Sequence, residues 1–438
     1  MNAALRAAYH VAGAVTTRAS DAAARVPGDA KWLRALRGRH DVLARYAAWS
    51  ATGRDATRPL LWMHAPSVGE GLQAKPVLEL VRQQRPALQI AYTYYSPSAE
   101  MLAGDYRDSG LVDFADYLPW DTPAAVRDVL VALAPRALVF VKLDVWPELV
   151  DGAAKAGVRL GLISATLSKR SGRRSPWGAA LLRDAYARLD VVGAIDAADA
   201  GRLRALGVPA AAVTVTGDTR YDQVWARAEH APRDDVMLTG LAAPHRVTIV
   251  AGSTWPSDER VVLDAWMATR DRVAGSRLVL APHEPTPDRI AALERWAASR
   301  RVGAARLDAA AHAGTGDTSD LVLVDRVGVL GDLYAIADIA YVGGAFHSAG
   351  LHSVLEPAAY GVPVLLGPDY AAHRDANLLI AAGGAVSVRD VPTCSAALTE
   401  WLVDVAGRRR SGDQARSVVA SGRGAAQQSA AIVQRLVD

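Results

Sequence analysis

The chain has 438 residues, 51% hydrophobic and 22% charged, with a formal net charge of +3. That length exceeds one ordinary core, and that balance excludes a disordered or fibrous chain. The single cysteine, Cys394, excludes an internal disulfide and any cysteine-rich metal site, and fits a reducing compartment.

Residues 1–50 hold eight Lys/Arg (Arg6, Arg18, Arg25, Lys31, Arg34, Arg37, Arg39, Arg45) against three acids (Asp21, Asp29, Asp41), a balance of +5. Nothing there resembles a cleavable signal, and no run approaches the roughly 20 apolar residues of a spanning helix. Trp32, Leu36, Leu43 and Ala47 recur at helical spacing beside these bases. The pattern predicts a basic amphipathic helix suited to an anionic membrane surface, or else an ordinary solvated helix packed on the body. Nucleic-acid binding is not expected, because no basic groove with interleaved aromatics follows.

From residue 60, short apolar runs alternate with helical stretches. Strands are predicted at 60–64, 88–93, 137–141, 159–163, 190–194 and 213–216, with helices over 71–84 and 97–106 among them. The charged, Pro-containing stretch 226–244 reads as a linker. Strands then resume at 247–251, 276–281, 321–324, 339–342, 362–366 and 385–388. Alternation of this kind implies α/β architecture: two Rossmann-like domains, 51–230 and 240–438, with a cleft between them and ligands at the carboxyl ends of strands. Residues 307–320 read as a surface loop, and 408–438 as a helical basic tail packing back on the first domain.

Strand ends are where chemistry gathers. After the first strand comes His64-Ala-Pro-Ser-Val-Gly-Glu-Gly71, where Glu70 can serve as a general base or simply favour a helix N-terminus. Lys142-Leu-Asp-Val-Trp-Pro-Glu148 puts Lys142 and Asp144 after another strand, as site charges or as a local ion pair. Gly217-Asp-Thr-Arg-Tyr-Asp222 carries Arg220, which can grip a phosphate in a planar fork or pair with Asp218 or Asp222.

The second domain offers Ala251-Gly-Ser-Thr254, with Ser253 suited to a phosphate or carboxylate, then Ala281-Pro-His-Glu-Pro285 and Asp325-Arg-Val-Gly-Val-Leu-Gly331. Its richest stretch runs Tyr341-Val-Gly-Gly-Ala-Phe-His-Ser-Ala-Gly-Leu-His-Ser-Val-Leu-Glu-Pro357. Gly343 and Gly344 let backbone approach a ligand, the next helix start offers N–H groups to a phosphate, and Glu356 can hold two ribose hydroxyls. That combination suits a nucleotide-sugar donor. His347 and His352 sit five apart in this loop, without metal-ligand spacing, and no metal or cofactor is expected.

Together these segments, spanning about residues 60 to 388, resemble the Kdo transferases. These inverting GT-B glycosyltransferases move 3-deoxy-manno-octulosonic acid (Kdo) from its CMP-activated form onto a lipid A precursor. Ser67-Val-Gly-Glu70 matches the family's first signature, and Tyr117-Leu-Pro-Trp-Asp121 its Tyr-Leu-Pro-Tyr-Asp. Ala165-Thr-Leu-Ser168 is similar to its Ala-Arg-Leu-Ser.

The resemblance implies Glu70 as proton acceptor and Arg220, in place of the usual lysine, as transition-state stabiliser. It implies CMP contacts from Pro282 and His283, from Gly328-Val329-Leu330 (for Gly-Glu-Leu) and from Ser353-Val354-Leu355-Glu356 (for Asn-Pro-Leu-Glu). Lys142 inverts the first glutamate of the family's Glu-Thr-Glu-Leu-Trp-Pro-Asn, while Asp144 keeps the second carboxylate; Gly38-Arg-His40 stands where Gly-Glu-Arg is frequent. The implied partners are CMP-Kdo and a lipid A precursor, without nucleic acid, at the cytoplasmic face of the inner membrane. A GT-B transferase using a UDP- or GDP-sugar, or a non-catalytic lipid-binding relative, are the alternatives that these departures leave open.

Overall fold

A computed structural model describes residues 3–23, 26–28, 30–169, 171–231, 234–243, 245–270, 273, 275–313 and 319–438. Arg25 and Asp29 of the basic segment, Pro244 of the expected linker and residues 314–318 of the expected loop lie outside them. The chain divides into two compact units, residues 1–223 with 423–438 and residues 224–422.

Unit 1 opens with α1 (Ala3–Ala23), α2 (Lys31–Arg37) and α3 (Val42–Thr52). There follow β1 (Leu60–His64), α4 (Val68–Gln84), β2 (Gln89–Tyr94), α5 (Glu100–Asp108), β3 (Phe114–Tyr117), α6 (Pro123–Leu133) and β4 (Ala137–Val141). Then come α7 (Pro147–Lys155), β5 (Arg159–Ala165), α8 (Pro176–Ala187), β6 (Val191–Ala194), α9 (Ala197–Leu206), β7 (Val213–Val215) and α10 (Thr219–Glu229), within which unit 2 begins.

Unit 2 continues with α11 (Val236–Gly240), β8 (Val247–Thr254), α12 (Pro256–Arg270), β9 (Ser276–Pro282), α13 (Pro287–Ser299), β10 (Ala304–Arg306), α14 (Leu307–Ala313) and β11 (Leu321–Leu323). After these come α15 (Leu330–Leu333), β12 (Ile339–Val342), α16 (Leu355–Ala359), β13 (Val364–Leu366), α17 (Arg374–Ala382) and β14 (Ala385–Ser387). Helices α18 (Val391–Val403) and α19 (Val405–Ser421) follow, and α20 (Ala425–Val437) returns to unit 1.

Each unit holds a seven-stranded parallel sheet, ordered β3-β2-β1-β4-β5-β6-β7 and β10-β11-β9-β8-β12-β13-β14. Every residue of β1, β2, β4 and β9 is buried, as expected of parallel strands covered on both faces. Alternation still decides which face each residue serves: Ile249 and Ala251 of β8 join one core of unit 2, and Val250 joins the other. Helix α20 lies on the first sheet, where a Cβ on Gly161 would stand 2.6 Å from Leu436; only glycine lets the helix come that close.

Four expectations are corrected. Residues 226–244 are not simply a linker, because α10 runs to Glu229 and α11 packs on α14. Residues 307–313 are helix rather than loop, since Leu307, Ala310 and Ala311 find a buried face against α11. The edge strands β3 and β10, four and three residues long, are additional to the predicted set. The continuous basic helix through Trp32 and Ala47 is broken at 38–41, where Asp41 takes a left-handed conformation (φ 53°). Leu33, Val42 and Tyr46 are the buried positions there, while Trp32 is 64% exposed.

The break has a purpose in packing. Arg39 is buried, donating to the carbonyls of Leu118, Ala35 and Tyr95, with its guanidinium stacked on Tyr95 and Trp120. Arg37 likewise donates to the carbonyls of Ala23, Val26 and Gly28. Two of the expected surface cations therefore brace the fold of unit 1 instead of standing in solvent.

Candidate active site: two clusters at strand ends

In both sheets the strand order reverses beside the first strand of the unit, between β1 and β4 and between β8 and β12. Chains leave such a point in opposite directions and open a crevice above the carboxyl ends. Most of the site residues expected from sequence stand on those ends.

In unit 1, Glu70 occupies the first turn of α4 and is 9% exposed. Lys142 directly follows β4 in a left-handed conformation (φ 70°), unusual for a residue with a Cβ, and places Nζ 2.7 Å from Glu70 Oε1. Ser67 Oγ donates to the other carboxylate oxygen. Burial works to raise the Glu70 carboxyl, but the Lys142 charge and the hydrogen bonds from Lys142 and Ser67 outweigh it and hold it below the usual range.

Asp144 does not pair with Lys142. His64 Nε2 lies 3.1 Å from Asp144 Oδ2, Trp146 Nε1 donates to the same oxygen at 3.0 Å, and Arg173 stands 3.7 Å from Oδ1. Burial of Asp144 is likewise overcome, chiefly by the His64 hydrogen bond, so this carboxyl too is held low. It is a fixed negative charge that orders its neighbours.

The Tyr117–Asp121 segment explains how the loop is held. Asp121 accepts the backbone N–H groups of Glu148 (3.0 Å) and Leu149 (2.7 Å), capping α7, while Tyr9 Oη donates to it at 2.7 Å. Burial pushes the Asp121 carboxyl up to about 6. Arg220 is bound in a fork by Asp218, through Nε at 3.0 Å and a terminal nitrogen at 2.7 Å. Its segment folds toward the middle of the sheet, because Thr219 Oγ1 lies 2.7 Å from Ser164 Oγ at the bulged end of β5.

In unit 2 the strand ends present rings and backbone. Trp255, after β8, stacks on His347 (4.0 Å between centroids, 6° between planes) and on His283 (4.7 Å, 28°). His352 stacks on His283 at 4.5 Å and accepts the Trp255 indole N–H at its Nε2, 3.3 Å away. Burial, then His283, lower the His352 pKa, in keeping with an imidazole that accepts.

Asp258 is buried and ties these loops together, accepting Tyr341 Oη (2.9 Å), Gly344 N (3.0 Å) and Trp255 N (2.9 Å). Gly343 and Gly344 serve this packing directly. A Cβ on Gly343 would lie 2.4 Å from the Ser253 carbonyl, and Gly344 has φ +101° against the Gly350 carbonyl. Ser253 itself is a left-handed bulge (φ 54°) in β8.

Pro282 ends β9, and His283 N donates to the Thr254 carbonyl at 2.9 Å. Leu330, after Gly328 and Val329, closes with Tyr334 over Gly252 at the end of β8. Ser353 is exposed, while Val354 and Leu355 are buried, and α16 is only five residues long. Burial raises the Glu356 carboxyl, opposed by Arg227, whose Nε donates to Asp332 at 3.1 Å. No group of His, Cys, Asp or Glu that could hold a metal occurs among the described residues.

Residues 40–223 match the family model described as 3-deoxy-D-manno-octulosonic-acid transferase (kdotransferase). A Kdo transferase of Bordetella pertussis is 32% identical over 408 residues, covering 90% of this chain and 92% of the relative. One of Haemophilus influenzae is 26% identical and covers 86% of each chain. This chain belongs to the Kdo transferase family.

It is therefore an enzyme, a glycosyltransferase. A solved UDP-GlcNAc 2-epimerase of Neisseria meningitidis superposes with TM-score 0.60 at 15% identity, covering 86% of this chain and 99% of that one. A putative UDP-N-acetylglucosamine 2-epimerase of Listeria monocytogenes gives 0.58 at 14%, covering 86% and 96%. These likenesses carry the fold, two parallel α/β units of GT-B type.

Within this Kdo transferase, Glu70, Lys142 and Asp144 gather at one strand-order reversal. Ser253, His283, Gly343 and Gly344 gather at the other. Trp255, Asp258, Arg173 and Arg227 were missed by sequence reasoning. Trp255 directly follows the Ala251–Thr254 segment and was the one legible signal, an aromatic at a strand end.

Proposed function

We propose that this chain transfers Kdo from CMP-Kdo to a lipid A precursor with inversion, unit 2 holding the CMP moiety and unit 1 the proton acceptor. The acceptor hydroxyl oxygen forms a bond to the anomeric carbon, its proton passes to Glu70, and the carbon–oxygen bond to the CMP phosphate breaks. Arg220 and Lys142 supply positive charge for the anionic groups. The stack of Trp255 with His283 and His347 frames the nucleotide pocket, and Glu356 accepts from the ribose. The observation that carries this reading is the buried Glu70 carboxylate beyond the end of the first strand, within the residues that match the family model. Release of CMP from CMP-Kdo by the purified protein, dependent on a lipid A precursor, tests it; release unaffected by omitting the precursor, or none with it, would overturn it.

The acceptor's nature places the enzyme as a peripheral protein on the cytoplasmic face of the inner membrane. No helix of the described residues is long and apolar enough to cross a membrane. Unit 1 nevertheless exposes Val11, Val15 and Trp177, the last 80% exposed and preceded by exposed Lys169 and Arg174. Interfacial tryptophan with nearby cations suits an anionic lipid surface, at about 1 kcal/mol per basic residue. Co-sedimentation with anionic liposomes should weaken with salt and with Lys169→Glu/Arg174→Glu; binding indifferent to both excludes this surface.

A further inference from the structure

We propose that Lys142 is an anion-responsive latch on Glu70, neutralising the carboxylate in the free enzyme and moving to a carboxylate or phosphate of bound substrate. The inference rests on Glu70 being the proton acceptor and adds how that acceptor is switched. Both Glu70 oxygens are occupied, Oε1 by Lys142 Nζ at 2.7 Å and Oε2 by Ser67 Oγ. A carboxylate so engaged is a poor base, because each added donor lowers its proton affinity.

One partner is free to leave. The Glu70 side chain is 12% exposed and fixed on the first turn of α4, whereas the Lys142 side chain is 39% exposed on a flexible stem. Its backbone, in contrast, is fixed: the left-handed Lys142 donates its N–H to the Ile163 carbonyl at 2.8 Å. Left-handed backbone is unfavourable for a residue with a Cβ, and here it aims the ammonium at the start of α4.

The groups facing Glu70 are few. From β2 comes Tyr92, buried, its Oη without a hydrogen-bond partner among the described residues and its pKa raised by burial and then by Glu70. From α5, Tyr106 Oη donates to the Gly71 carbonyl at 3.1 Å. Helix α20 meets the far end of α4 through Gln434 and Gln84. Among the described residues, Lys142 is thus the one cation shown on Glu70. When it departs, burial is opposed only by Ser67 and the helix start, and the carboxylate becomes a stronger base. A glutamate at 142 could not work this way.

The acidic limbs of the pH–rate profiles test the latch in wild-type enzyme with CMP-Kdo and a lipid A precursor. The limb in kcat/KM for the donor reports the enzyme–acceptor complex, that for the acceptor reports the enzyme–donor complex, and that in kcat reports the ternary complex. The kcat limb should lie at higher pH than at least one of the others. If the enzyme–donor limb is the raised one, the donor supplies the anion; if the enzyme–acceptor limb, the acceptor does. Three coincident limbs would overturn the latch. Lys142→Gln should carry the low limb up to the high one, and Lys142→Arg should restore it; an unmoved limb in Lys142→Gln also overturns the proposal. Should Lys142→Gln fail to fold, the wild-type comparison decides alone. An active Glu70→Gln enzyme would instead remove the base assignment beneath the latch.

Discussion

The two strand-end clusters stand on the same scaffold and differ in chemistry. At the first, between β1 and β4, charges are paired: Glu70 with the half-exposed Lys142, and Asp144 with Arg173. At the second, between β8 and β12, the pairing is of planes, with Trp255 between His347 and His283, and the buried Asp258 spent on bracing backbone. A proton acceptor must be able to change partners, whereas a nucleotide pocket gains by being rigid before the ligand arrives. On the proposed function, that difference assigns reaction to the first sheet and recognition to the second.

The sharpest way to break that division is Glu70→Gln. Loss of a general base costs about 10²–10⁴-fold, so kcat should fall by that factor while CMP affinity by calorimetry stays at the wild-type value. A variant that loses CMP binding as well, or keeps more than about a tenth of its turnover, would mean that recognition and reaction are not separated in this way.

Next in size is Gly343→Ala. Its Cβ would meet backbone, the Ser253 carbonyl at 2.4 Å and Thr254 Cα at 2.7 Å, and neither can swing aside. Overpacking of this kind costs about 1–3 kcal/mol, so the melting temperature should drop and CMP binding weaken with it. Alanine at 343 with an unchanged melt would show that the β8 and β12 loops are not the rigid frame described.

Trp255→Ala should act more gently and on recognition alone. The change removes two ring contacts within the protein, at about 0.5–1.5 kcal/mol each, and loosens the loops they hold, so the donor KM should rise with kcat little changed. Glu356→Ala should also weaken CMP binding through the ribose. If Trp255→Ala instead lowers kcat at saturating donor, the stack takes part in the reaction.

Much of this was readable in the chain. Long apolar runs such as 60–64 and 137–141 mark buried parallel strands, and their ends led to Glu70, Lys142, His283 and the Gly343 loop. Partnerships were less readable. The pairing of Lys142 with Glu70 rather than with Asp144 depends on a left-handed residue and a 72-residue separation, which no local pattern encodes. The short edge strands at 114–117 and 304–306 carry too few apolar residues to stand out. The apparent loop at 307–313 becomes helix only because α11 gives its alanines something to cover. Arg39, read as a surface charge, is drawn inward by three rings and two carbonyls contributed from distant sequence.

The smallest expected effect sharpens the account of the reacting cluster through stability. The Glu70 carboxyl is held below its ordinary value, chiefly by Lys142 against burial, so the native state favours the ionised form. Such a group stabilises the fold above the ordinary glutamate pKa of about 4.3, and that contribution fades as pH falls through the lower folded value. Because Lys142 is well exposed, the pair is worth only about 0.2–1 kcal/mol. Asp121, raised to about 6 by burial, has the opposite sign: its contribution is present at acid pH and lost as pH rises toward 6. Urea unfolding of wild type and Glu70→Gln from pH 3 to 7 separates the two, because the variant removes only the first. The stability difference between them should be largest near neutral pH and shrink toward pH 3. A difference that is constant with pH, or that grows on acidification, would mean that Glu70 and Lys142 are not paired in the folded protein in solution.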